Sequence, residues 1–164
     1  WEKINSFETI DQMEWNELLE LSIPVKVNTV NMDPHEAGIR KTLNFGHTIG
    51  HALESYYLSS ETPLSHGQAV TLGMLAESKM ALDAGILTEN DFEKINRLIV
   101  RLLEPALTQV PSFEDLGPWM ARDKKNTSQN LSFSLPTGIG SCDWGLTGLD
   151  PVPALEWLKE TSFR

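Results

Sequence analysis

The stretch Arg40-Lys-Thr-Leu-Asn-Phe-Gly-His47-Thr-Ile-Gly-His51-Ala-Leu-Glu54 carries two histidines four residues apart. On a helix this spacing places both imidazoles on one face. Asn44 and Gly46 stand just upstream, where a chain that enters a helix is commonly capped. The stretch therefore predicts a helix that begins near His47 and presents two imidazoles together.

A third histidine, His66, opens a second predicted helix at Leu64-Ser-His-Gly-Gln68, and the chain has four histidines in all. The dipole at a helix start disfavours an imidazolium, so a histidine in the first turn tends to stay neutral, as a metal ligand must be. A catalytic zinc takes three protein ligands and keeps one position for water or substrate. Thr48 stands where an HExxH motif has its glutamate, which disfavours metalloprotease chemistry.

The composition is that of one globular domain spanning residues 1–164, with 40% hydrophobic and 22% charged residues. The net charge of -10 argues against a nucleic-acid or anionic-membrane surface, and no apolar run is long enough to span a bilayer. A small anionic substrate is compatible with this charge if Lys, Arg and His cluster locally. The single cysteine, Cys142, excludes an intrachain disulfide, weakly favours a reducing cytosol and is best read as a small buried hydrophobe.

The apolar periodicity predicts a mainly α fold, a multi-helix bundle with at most a small β-hairpin. The helix predicted over 65–84 is apolar nearly all round, with Ser65 and Gln68 as a capping box, so it should lie in the middle of the bundle. Residues 22–32 leave two readings open, a restarted helix with Pro24 in its first turn or a strand. The remaining predicted elements are helices at 6–21, 47–57, 88–105, 112–122 and 150–161, and a hairpin that pairs 131–135 with 139–144.

The combined pattern resembles 3-dehydroquinate synthase, specifically the C-terminal, mainly helical half of such enzymes. The resemblance runs over essentially the whole chain. Its principal motif is Arg40-x-x-x-Asn44-x-Gly-His47-Thr-x-Gly-His51-Ala-x-Glu54, which is followed by His66-Gly-Gln-Ala-Val-x-x-Gly-Met. Further matching positions are Lys26, Asp33, Glu36, Gly38 and the run Asp123-Lys124-Lys125.

The resemblance implies a sugar-phosphate cyclase of the shikimate pathway that uses zinc, or another divalent metal such as cobalt, together with NAD. The implied metal ligands are His47 and His66, with a third ligand, a glutamate, supplied from before Trp1. The implied catalytic residues are Lys26, Arg40, Asn44 and His51, which also bind the substrate together with Lys124 or Lys125. Glu36 and Glu54 could each orient a histidine or simply be exposed; Glu36 is a candidate for the orienting role, whereas Glu54 is expected to be mainly structural.

The same resemblance implies that an N-terminal NAD-binding domain is absent from this chain. The 164-residue chain is therefore expected to bind zinc weakly and to lack turnover, whereas the full-length protein is expected to be a cytoplasmic homodimer. Its partner would be a small anionic sugar phosphate, with neither nucleic acid nor membrane. One departure from the family pattern is Gln68, where the family usually has Glu; as a helix cap, Gln serves as well.

Three alternatives compete with this reading. A related cyclase such as a 2-deoxy-scyllo-inosose synthase shares the metal and NAD chemistry and differs mostly in its substrate pocket. A non-catalytic helical domain with structural histidines predicts no metal binding. Iron-type alcohol dehydrogenases share the two-domain plan, but the cationic set of Lys26, Arg40 and Lys125 favours an anionic substrate.

Overall fold

The computed structural model describes Ile4 and residues 15–58, 60–103, 110–120 and 131–161. The predicted helical residues 6–14 and the basic run with Lys124 and Lys125 lie outside this part. Within it the chain forms six α-helices, one 3-10 helix and one two-stranded antiparallel hairpin, which confirms the predicted fold class. The elements are α1 Trp15–Met32, the 3-10 helix Ile39–Asn44, α2 His47–Tyr57, α3 His66–Asp83, α4 Glu89–Leu102, α5 Phe113–Met120, β1 Phe133–Gly138, β2 Ser141–Leu146 and α6 Val152–Glu160.

The central element is α3, which packs against α2, α4, α6 and β1, as its all-round apolar sequence predicts. Leu72, Leu75 and Ala76 are fully buried along it. Its first turn carries the predicted capping box, because the Gln68 amide N–H donates to Ser65 Oγ while Gln68 Oε1 accepts the Ser65 amide N–H at 2.9 Å. Gln68 therefore serves the cap through its side-chain amide oxygen.

Helices α2 and α3 run antiparallel at very short range, because glycines face each other where they meet. A methyl group on Gly73 would lie 2.0 Å from the carbonyl oxygen of Gly46, and one on Gly50 would lie 2.9 Å from the Cα of Val70. Gly46 also has φ of +80°, a left-handed conformation that L side chains rarely adopt. The motif glycines thus permit the backbone contact that brings the two histidine-bearing helices together.

The segment 22–32, for which helix and strand were both open, is helical, and α1 runs through Pro24 without a restart. Proline removes one amide donor from a helix interior and usually kinks or ends it. Residues 20–28 are exposed, so water can bind the carbonyl that loses its partner. Seven large apolar side chains of α1 are also 48–68% exposed: Trp15, Leu19, Leu21, Ile23, Val25, Val27 and Met32.

The hairpin closes one side of the α2–α3 pair, although both strands lie about two residues further along the chain than predicted. The turn falls at Gly140, whose φ of +87° suits glycine, so β2 begins at Ser141. Ser134 donates its hydroxyl to the Lys41 carbonyl at 2.8 Å, and Thr48 donates to the Ser132 carbonyl at 3.0 Å. The strand thereby braces both the 3-10 helix and the start of α2. Among the described residues, the helices are all too short or too polar to cross a membrane.

Candidate metal centre

Three imidazoles, those of His47, His51 and His66, meet beside the α2–α3 contact. The ring centroids are 5.2 Å apart for His47 and His51, 5.6 Å for His47 and His66, and 5.8 Å for His51 and His66. Each ring offers a nitrogen such that the three atoms lie within 4.8 Å of one another. The structure therefore brings together the two predicted metal ligands, and it places His51 beside them.

The convergence follows from the antiparallel pairing of the two helices. Gly46 meets Gly73, and Gly50 meets Val70, so α2 advances toward the start of α3 as its own sequence proceeds. The stripe formed by His47, His51 and Glu54 keeps to one face of α2, because the residues are spaced by four and three positions. This stripe ends against the ring of His66, the first residue of α3.

Hydrogen bonds fix the tautomer of two of the rings, those of His47 and His66. The Nδ1 of His47 lies 3.1 Å from the Phe45 carbonyl oxygen, and the Nδ1 of His66 lies 3.0 Å from Glu54 Oε2. Carbonyl and carboxylate oxygens only accept, so Nδ1 carries the proton in both rings. In the neutral imidazole the lone pair then belongs to Nε2, the nitrogen available to bind a metal.

The donor set and its spacing fit a zinc ion. Zinc–imidazole bonds of about 2.0–2.1 Å in a tetrahedron place ligand nitrogens about 3.4 Å apart. The spacing found here is at most 4.8 Å, so rotations of the rings that move each nitrogen by about 1 Å suffice. Two of the rings are partly buried and one is exposed, which leaves one side of the cluster open to a further ligand.

The loop that precedes α2 is folded around the carboxylate of Asp33. That side chain accepts the amide N–H groups of Ala37, Gly38 and Arg40 at 2.7–3.1 Å. These bonds, that from Gly38 foremost, hold the pKa of Asp33 below its ordinary value. Asp33 thus organises the segment that carries Glu36, Arg40 and Asn44 into the 3-10 helix.

Three other predicted site residues, Lys26, Arg40 and Asn44, precede α2 in the chain. Asn44 donates its side-chain amide to Glu36 Oε1 at 2.7 Å, and Arg40 Nη1 donates to the Pro34 carbonyl at 2.8 Å. Lys26 lies exposed on α1. Their roles toward a substrate stay predictions, as do those of Lys124 and Lys125, which lie outside the described residues. Glu54, which was expected to be mainly structural, contacts a histidine directly, since its Oε2 lies 3.0 Å from Nδ1 of His66.

Glu77, a buried acid in the middle of α3, accepts hydrogen bonds from the backbone at the start of α2. This contact was not predicted from the sequence. Glu77 is fully buried, and its two oxygens accept the amides of Gly46 at 2.6 Å and Ile49 at 3.2 Å. Burial raises the pKa of Glu77 to about 8, although these amides oppose the rise. The available signal was an acid inside an otherwise apolar helix, since a buried carboxyl requires partners.

The ionisation of Glu77 predicts a specific pH dependence of stability. In the unfolded chain the carboxyl ionises near pH 4.5, whereas in the fold it stays protonated up to about pH 8. Between these values the folded state holds the extra proton, so the free energy of unfolding should fall as pH rises. Each pKa unit corresponds to about 1.4 kcal/mol, so the loss amounts to a few kcal/mol.

Urea unfolding of the 164-residue chain and of Glu77→Gln, in chelator at pH 5–8, measures this loss. The glutamine keeps a hydrogen-bond acceptor but cannot ionise, so the variant should gain stability relative to the parent as pH rises. A difference between the two proteins that is constant across this range would contradict the assignment.

Cys142 has no thiolate role at neutral pH. Its side chain is partly buried, and its Sγ contacts the Asp143 carbonyl oxygen at 3.4 Å. Burial, with the nearby charges of Glu77 and Asp143, raises the pKa of its thiol to about 11. The protonated thiol matches the small hydrophobe expected from the sequence.

Comparisons with known proteins agree on a single family. The family model for the 3-dehydroquinate synthase C-terminal region matches residues 1–126. The 3-dehydroquinate synthase of Desulforamulus reducens is 39% identical over 139 residues, covering 82% of this chain and 37% of the relative. That of Thermosynechococcus vestitus is 38% identical over 151 residues, covering 90% of this chain and 39% of the relative. The chain therefore spans less than half the length of these relatives.

Solved structures of sugar-phosphate cyclases share the fold. A 2-deoxy-scyllo-inosose synthase, complexed with carbaglucose-6-phosphate, NAD+ and Co2+, superposes with a TM-score of 0.69 at 23% identity, over 87% of this chain and 39% of its own. The 2-epi-5-epi-valiolone synthase of Streptomyces hygroscopicus subsp. jinggangensis, with NAD+ and Zn2+ bound, gives a TM-score of 0.65 at 23% identity, over 87% and 38%. By its sequence match and its fold, the chain belongs to the 3-dehydroquinate synthase C-terminal family.

Proposed function

We propose that this chain is the metal- and substrate-binding part of a 3-dehydroquinate synthase. Such an enzyme converts 3-deoxy-D-arabino-heptulosonate 7-phosphate to 3-dehydroquinate and phosphate. The observation that carries the proposal is the convergence of His47 and His66, from two separate helix starts, in a chain of this family. Relatives named for this activity are 38–39% identical, whereas the other cyclases share the fold at 23% identity.

The proposed metal ligands of this chain are His47 and His66, each through Nε2. When bound, zinc or cobalt would supply a Lewis acid and NAD would supply hydride transfer, with NAD expected to be held mainly by an N-terminal domain of a full-length synthase. His51 stands beside the two ligands, and by its place in the family motif it is assigned to the substrate, where it assists proton transfer.

The residues assigned to the substrate match its charge. A phosphate and a carboxylate are recognised by Arg, Lys, Asn and His through charge-assisted hydrogen bonds. Asn44 and Arg40 lie in the 3-10 helix that follows the Asp33 loop, three and seven residues before His47. Lys26 from α1 and Lys124 or Lys125 complete the proposed cationic set.

The exposed apolar surface of α1 is the proposed contact for the rest of a full-length synthase. Its seven exposed apolar side chains exceed what a soluble surface usually leaves uncovered on one helix. The matched relatives are more than twice as long as the aligned region, so they contain further chain that can cover such a surface. We expect a homodimer for the complete protein and, for this chain alone, no turnover.

A chimera tests the proposed activity. In it, this chain replaces the matched 37% of the Desulforamulus reducens relative. With Zn2+ and NAD+ it should release phosphate from 3-deoxy-D-arabino-heptulosonate 7-phosphate, because the remainder of the relative then accompanies this chain. The same chimera with His47→Ala should fold and lose this activity by at least about 100-fold, since a ligand matters at least as much as the groups that orient it.

The unaltered relative and the 164-residue chain alone are the positive and negative controls. A folded, zinc-loaded chimera that ignores this substrate but cyclises a hexose 6-phosphate would favour the alternative cyclase. Turnover by the 164-residue chain alone would contradict the expectation that the rest of the protein is required. A chain that fails to bind zinc even in the folded chimera would favour the non-catalytic helical domain.

A further inference from the structure

Glu54 forms a direct side-chain hydrogen bond to a histidine of the cluster, His66. Its Oε2 lies 3.0 Å from Nδ1 of His66, across the gap between α2 and α3. Glu54 is three residues after His51 and seven after His47, so it shares their helix face. The contact therefore sits at the end of the stripe where α2 meets the start of α3.

The environment of His66 makes this contact important for the ring's orientation. The side chain of His66 is 57% exposed and that of Glu54 is 34% exposed, so packing alone leaves the ring considerable freedom. A carboxylate accepts from Nδ1–H, which fixes both the tautomer and the rotation of the imidazole. With Nδ1 engaged, Nε2 is the nitrogen left to bind a metal. The centroid of the His66 ring lies 5.6 Å from that of His47 and 5.8 Å from that of His51.

We propose that Glu54 is a positioning residue that holds the imidazole of His66 in the Nδ1–H tautomer, with Nε2 directed at the metal position. The inference rests on the proposed metal centre and adds to it a residue that does not touch the metal or the substrate. Carboxylates that orient a metal-binding histidine in this way raise its basicity and restrict its rotation. The sequence leaves a role in orienting a histidine open for Glu54 but does not say which ring it contacts, because His66 lies twelve residues away on another helix.

The first test is the affinity of the 164-residue chain for Zn2+, measured by competition with a chromophoric chelator. Glu54→Ala should weaken binding by about 10–100-fold, and Glu54→Gln should weaken it less, because the glutamine oxygen still accepts a hydrogen bond. Exposed pairs contribute little to folding, so the metal-free melting temperature should stay within about 2 °C. Glu93→Ala, at an exposed position on α4, removes the same charge and should leave the affinity unchanged.

A double-mutant cycle with His66→Ala separates positioning from general electrostatics. If Glu54 acts through His66, then Glu54→Ala should have no further effect on Zn2+ affinity once His66 is removed. A loss of equal size in both backgrounds would overturn the proposal. So would an unchanged affinity in the Glu54→Ala chain.

A second readout does not depend on metal. Long-range ¹H–¹⁵N spectra of the metal-free chain should show His66 as the Nδ1–H tautomer in the parent and a shift toward Nε2–H in Glu54→Ala. A parent that binds no Zn2+ but shows this shift would refute the proposed metal centre and keep the positioning role. A tautomer that is the same in both proteins would refute the positioning role itself.

Discussion

Replacing Gly73 with alanine should be the most damaging single-methyl change in this fold. The added Cβ would lie 2.0 Å from the carbonyl oxygen of Gly46 and 2.7 Å from the amide nitrogen of Gly50. Both atoms belong to the backbone, one at the N-cap of α2 and one within it, so no side-chain rotation relieves the clash, and the helices must separate. We expect the free energy of unfolding to fall by about 3 kcal/mol or more, the upper end for overpacked cores.

The matched control for this change is Gly67→Ala, on the same helix. A methyl group at Gly67 meets nothing within 4 Å, and alanine favours a helix by up to about 1 kcal/mol over glycine. Urea unfolding of both variants in chelator measures the difference. Equal stability of the two variants would mean that the α2–α3 contact is looser than described.

Removing a predicted ligand should have the largest effect on metal binding. His47→Ala or His66→Ala should lower the Zn2+ affinity of the 164-residue chain by at least about 100-fold, since even groups that only orient a ligand are worth about 10–100-fold. The reason is geometric, because one nitrogen from each ring of the cluster lies within 4.8 Å of the others, while Nδ1 of His47 and Nδ1 of His66 are engaged by Phe45 and Glu54. Competition titration measures the loss.

The control for this experiment is His35→Ala, which removes the fourth histidine from an exposed position. It should leave the affinity unchanged. His51→Ala separates the two roles that the geometry allows, and the substrate assignment predicts a smaller loss than at His47. If His35→Ala and His47→Ala weakened binding alike, the metal would bind by scattered surface contacts.

The helices and their starts could be predicted from the sequence because their signals are local. Ser65 and Gln68 form the predicted capping box, and Thr88 caps α4 through the Asp91 amide. The continuation of α1 through Pro24 could not be predicted, since it depends on exposure that leaves water within reach of the unpaired carbonyl. The hairpin strands lie further along the chain than predicted because the chain turns at Gly140. The positive φ of this glycine is a property of the backbone and is not visible in the alternation of side chains.

Only those site residues that belong to the sequence motifs could be predicted. The resemblance to the family motif implies His47 and His66 as metal ligands, and the structure brings their rings together. The partners that place them come from distant positions, such as Glu77 on the Gly46 amide and Glu54 on the His66 ring. Such pairings depend on how helices pack and leave no periodic signal in a single sequence.

The most direct test of the account is the position of zinc in crystals of the 164-residue chain grown with Zn2+. Anomalous scattering should show one strong peak about 2.0–2.1 Å from Nε2 of both His47 and His66. A peak that only one of these rings touches, or zinc bound only elsewhere on the surface, would contradict the convergence on which the proposed function depends.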